Sequence, residues 1–139
     1  MLCGCVITIV FLSIVTFLTS YQKNVDKMFY ISVSYKGEQL YTSLSSDIGD
    51  YLTDAKKTTL YFEELPAHEP IEINAPSRAT LYVYPFDEDS IIIRYEPRNG
   101  IKRTYKKSGY GDFNRILRAF YEVTGNEIFN ETITYPSSR

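Results

Sequence analysis

The chain has no tryptophan, one histidine and two cysteines, and both cysteines, Cys3 and Cys5, stand at its very start. A zinc site needs three or four nitrogen or sulfur ligands. Beyond residue 20 the sequence offers the single imidazole of His68 and no thiol, so no metal centre and no cofactor is expected. A disulfide cannot form inside the body of the chain, and cysteine usage gives no reading of redox compartment. Nucleophilic triads need a histidine base, and nothing in sequence places a nucleophile near His68, which lies in a proline-bounded loop.

Weaker chemical signals have simpler explanations. Glu63-Glu64 and Asp87-Glu88-Asp89 are adjacent acids at a strand end and a turn, the usual place for solvated carboxylates rather than a catalytic pair. The second group lacks the ligand spacing of a calcium-binding EF-hand. Gly109-Tyr110-Gly111 precedes a helix, as in a phosphate loop. It lacks the Gly-Lys-Ser/Thr ending, and Asp112 would repel an anion there. No motif carries a reaction, and the chain is not expected to be an enzyme. A hydrolase working with carboxylates alone is the least supported alternative. Asn130-Glu131-Thr132 is a glycosylation sequon, relevant only in a eukaryotic secretory setting.

What the sequence does have is a long uncharged leader. Leu2 to Leu18 carries no charge, and Leu2 to Ser20 is long enough, at ~1.5 Å per residue, to cross a hydrocarbon core of ~30 Å as a helix. Residues 1–20 are therefore read as a transmembrane anchor or a signal peptide cut near Thr19-Ser20. A buried core helix is disfavoured because no face of the segment is polar. Lys23 and Lys27 would hold the body in the cytoplasm by the positive-inside rule. A short uncharged N-terminus ahead of a long apolar run instead favours export. Leu2-Cys3-Gly4-Cys5 looks like a lipoprotein cleavage box, but it precedes the apolar run instead of following it. Acylation of a membrane-proximal cysteine is compatible with that placement.

Residues 21–27 read as a short stalk, 28–135 as a single globular domain and 136–139 as a tail. Thirteen tyrosines and eight phenylalanines point to a β-rich aromatic core. Phe29, Ile31, Val33 and Tyr35 alternate, Lys36-Gly37 interrupts, and Leu40, Thr42 and Leu44 resume on one face, which predicts a hairpin. Ile48, Tyr51, Leu52 and Ala55 then form a helical stripe over about 47–57. Thr58 to Leu65 alternates as a strand. Pro66, Pro70 and Pro76 punctuate the long connection after it, and keep the short Ile71-Ile73 strand out of a central position. Ala79–Phe86, Ile91–Glu96 and Ile101–Lys107 make a three-stranded meander, its second turn a two-residue Asn99-Gly100. Asp112 caps a second helix with the stripe Phe113, Ile116, Leu117, Phe120 and Tyr121, ended by Gly125. Ile128, Phe129, Ile133 and Tyr135 in the tail add a last strand or pack on the sheet. The expected class is α+β, in the order ββα-β-βββ-α: an antiparallel sheet of five to six strands with two helices on one face.

Charge is unevenly spread. Residues 94–118 hold eight cations against Glu96 and Asp112, a local charge of +6, while the whole chain is at −2. On the last meander strand Lys102, Thr104 and Lys106 share one face and Arg103, Tyr105 and Lys107 the other, which reads as a charged sheet edge. The candidate partner-binding residues are Arg94, Arg98, Lys102, Arg103, Tyr105, Lys106, Lys107 and Tyr110. The expected function is a non-enzymatic, membrane-anchored or exported domain of the immunity or accessory type that binds an acidic protein. The negative total and the leader speak against nucleic acid. The alternative is a module that holds a small apolar ligand in a pocket between sheet and helices.

Overall fold

A computed structural model describes residues 30–43, 52, 58–76, 78–109 and 112–135. The anchor or signal segment 1–20, the stalk, Phe29, Tyr110 and the tail 136–139 lie outside them. So does the expected first helix, except Leu52, which is helical and buried. Among the described residues no helix is long and apolar enough to cross a membrane.

Seven strands form one antiparallel sheet: β1 Tyr30–Tyr35, β2 Glu38–Ser43, β3 Thr58–Leu60, β4 Ile71–Ala75, β5 Ala79–Asp87, β6 Ser90–Pro97 and β7 Arg103–Ser108. Their spatial order is β2-β1-β4-β5-β6-β7-β3. The class is α+β as expected, with more strands than the five to six anticipated. The hairpin between β1 and β2 turns at Lys36 and Gly37, with φ of 50° and 79°. Two left-handed residues give the turn a twist that matches the strands it joins.

Alternation along each strand delivers one apolar face. Val33, Ile73, Leu81 and Tyr95 follow one another across β1, β4, β5 and β6, and Ile71, Val83, Ile93 and Tyr105 form the next row across β4 to β7. All eight are buried. The helix α1, Phe113–Thr124, adds Phe113, Ile116, Leu117 and Phe120 to the same cluster. Each such side chain contributes about 1.5–3 kcal/mol by leaving water. Gly125 ends α1 in the left-handed conformation, its N–H on the Tyr121 carbonyl. Asp112 stands at the N-cap without a side-chain cap bond, its carboxylate accepting instead from the Asn114 amide at 3.0 Å. Asn114 then fixes the tail, accepting from the Ile133 N–H and donating to its carbonyl. Among the described residues, the segment 126–135 adds no strand. It forms a 3₁₀ turn, Glu127–Phe129, that lays Phe129 on Phe120 at 5.4 Å and parallel to Tyr35 at 6.1 Å between ring centres.

Four expectations are corrected. β4 is not peripheral: it lies between β1 and β5, because Pro70 and Pro76 stand just outside its five residues and remove no ladder hydrogen bond. The strand from Thr58 stops at Leu60, and Phe62 is 85% exposed. The link from β6 to β7 is the five-residue loop 98–102, not a two-residue turn. Finally, β7 is not the sheet edge, since β3 pairs with it from Thr58↔Lys107 to Leu60↔Tyr105.

Candidate functional site

The register decides which basic side chains reach solvent. Tyr105 and Lys107 fall in line with Ile93 and Ile91 on the core face, and are 2% and 1% exposed. Neither is available to a partner. Arg103, on the same face but opposite Tyr95 near the strand end, is half-buried, with a guanidinium nitrogen donating to the Lys102 carbonyl at 3.1 Å. Tyr110 lies outside the described residues.

The remaining cations gather on the opposite face and on the 98–102 loop. Arg94 stands on β6 between Tyr82 of β5 and Thr104 of β7, and Nε of Arg94 is 2.6 Å from Glu96 Oε2. The Lys102 ammonium approaches the other carboxylate oxygen at 3.4 Å. The hydrogen bond from Arg94 holds the Glu96 carboxyl below its usual range, against the opposing effect of burial, and Lys102 assists. Glu96 is thus an ionised hub that orders two cations without cancelling them. One strand over, the Lys106 ammonium sits 4.5 Å above the Phe86 ring, which meets Tyr61 edge-on at 6.0 Å. Phe86 is presented there by an irregularity in β5 between Pro85 and Asp87. Tyr82 and Tyr84 on this face are half-buried, and burial pushes both phenols up.

Arg98 is exposed, and its N–H donates to the Arg78 carbonyl at 3.0 Å. This bond ties the 98–102 loop to the β4–β5 turn. Between them opens a groove of about 370 Å³ lined by Asn74, Arg78, Thr80, Glu96 and Arg98, among others. No sequence pattern marks Arg78 as a candidate. It stands alone among Ala, Pro, Ser and Thr, and only the pairing of β4, β5 and β6 brings it beside the basic stretch.

A second groove of about 400 Å³ is lined by Ile31, Ser32, Tyr41, Thr42, Ser43 and Pro76. Among the described residues, neither groove has a lining residue from α1. His68 packs edge-on against Phe113 at 5.7 Å, with Nδ1 at 2.7 Å from the Glu69 carbonyl oxygen. Among the described residues no three His, Cys, Asp or Glu side chains converge to hold a metal. Glu63 and Glu64 are exposed, and Asp87 accepts from the Asp89 N–H and the Ser90 hydroxyl to close the β5–β6 turn.

No protein family, curated protein or solved structure matches the chain.

Proposed function

We propose that the chain is a non-enzymatic binding domain, held at or exported across a membrane by residues 1–20, whose basic surface docks an acidic protein. It would act as an immunity or accessory protein does, by occupying a partner rather than by transforming a substrate. The observation that carries this reading is the gathering of Arg94 and Lys106 on the outer face of the sheet with Arg98 and Lys102 on the adjoining loop, Arg94 and Lys102 being ordered by Glu96, beside Tyr82, Tyr84 and Phe86. Exposed and half-buried cations beside aromatic rings are the composition of a protein-binding surface, where Arg and Tyr supply anchors and charge steers the encounter.

The test uses the full chain with Lys102 and Lys106 reversed to Glu. Thermal melting is expected to stay within a few degrees of the wild type, while capture of an acidic protein from the chain's own membrane fraction is lost. Equal capture by the two proteins would refute the reading.

A further inference from the structure

The groove at the meeting of the β4–β5 turn and the 98–102 loop has the chemistry of an oxyanion site. Two arginines line it, and each guanidinium carries five N–H donors in a planar fork, so one contact within the protein leaves donors for a ligand. Asn74 adds to this character. Its carboxamide oxygen accepts from the Thr80 hydroxyl at 3.1 Å, which orients the amide, and its NH2 group is a donor. The one carboxylate in the lining, Glu96, is already engaged by Arg94 and Lys102. A volume of about 370 Å³ accepts a side chain with its flanking backbone but not a folded surface.

We infer that this groove is a carboxylate-binding subsite that receives an Asp or Glu side chain of the partner between Arg78 and Arg98. The inference rests on the proposed docking of an acidic protein and adds the residue class that is read and the two arginines that read it. A carboxylate is favoured over a phosphate group because the proposed partner is an acidic protein, whose surface presents Asp and Glu side chains.

The experiment titrates the full chain into a fluorescein-labelled hexaglutamate peptide and follows anisotropy. Arg78→Gln and Arg98→Gln are each expected to weaken binding about tenfold, as loss of a charge-assisted hydrogen bond does. Arg118→Gln, on the exposed side of α1, is expected to leave it unchanged. Arg78→Lys keeps the charge and removes the fork, and should fall between Arg78→Gln and the wild type; it also serves if the glutamine variant fails to melt cooperatively. Wild-type affinity in both glutamine variants overturns the subsite. If the Lys102 and Lys106 reversal still abolishes peptide binding in that case, the basic surface stands without the groove. If the wild type does not bind the peptide, both readings fall. Displacement of the peptide by inorganic phosphate beyond that given by chloride of equal ionic strength overturns the choice of carboxylate.

Discussion

The phenol of Tyr35 donates a hydrogen bond to Oε1 of Glu131 across 96 positions of sequence, and the ammonium of the adjacent Lys36 binds Oε2 of the same carboxylate. One acid thus fastens the tail to the tip of the first hairpin. It also offsets a local cost there, since Lys36 is left-handed and a residue with a Cβ gives up about 1–2 kcal/mol in that conformation. Burial raises the Tyr35 phenol, and the bond to Glu131 adds to the shift. On Glu131 burial works the other way, but Lys36, Tyr35 and the more distant His68 outweigh it and hold the carboxyl below its ordinary 4.5.

Glu131→Gln is expected to destabilise the chain by about 1 kcal/mol at neutral pH, discounted because Lys36 is 44% exposed. The folded pKa is depressed, so the stabilisation is present above the unfolded value of 4.5 and fades as pH falls through the folded one. Denaturation curves of the two proteins should therefore differ at pH 7 and converge in acid. A difference that persists at pH 2 contradicts the clamp.

Lys106 and Lys107 are neighbours in sequence with opposite surroundings. Lys107 pairs in register with Ile91 and Thr58 and is 1% exposed. Lys107→Glu reverses a buried charge and should cost about 3–5 kcal/mol. Lys106→Glu loses a contact to the Phe86 ring and should cost about 1 kcal/mol or less. Urea midpoints measure both, and equal losses would place Lys107 outside the core.

Gly125 ends α1 at φ 65°, and a Cβ added there would meet nothing within 4 Å. Gly125→Ala has space but no conformational licence, and should lower stability by about 1 kcal/mol. Gly125→Asn should lose less, because asparagine tolerates the left-handed region. Thermal melts rank the three proteins.

Glu96 restrains Arg94 and Lys102 and repels an incoming acid. Glu96→Gln should tighten binding of an acidic peptide by up to about fivefold, the range of an exposed ion pair. Weaker binding would mean that Glu96 is needed to position the cations rather than merely to order them.

Much of this architecture is legible in the residues themselves. Lys36-Gly37 between alternating runs gives the first hairpin, and the stripe Phe113, Ile116, Leu117 and Phe120 gives α1 with its end at Gly125. Alternation states which residues share a face, but not which strand lies alongside. Arg103, Tyr105 and Lys107 share a face in either arrangement. Only pairing with Ile91 and Ile93 turns that face inward, and only β3, three residues long and more than forty positions away, covers the outer side of β7. The prolines mislead about β4 because their effect is confined to their own N–H positions, 70 and 76, at its two ends. The cations of the candidate surface are visible as a charge run. Arg78 and the tie to Arg98 depend on contacts between distant segments and leave no local pattern.

The central claim is that the basic face is covered in the cell, and lysine reactivity reads this directly. Cells making the full chain are treated with a permeant amine-acylating reagent, and the peptides are compared by mass spectrometry with those of the purified protein. Lys102 and Lys106 should be several-fold less modified in cells, while Lys36, four strands away at the hairpin tip, should be modified equally in both. Lys102 and Lys106 reacting as readily in cells as in isolation would contradict that claim.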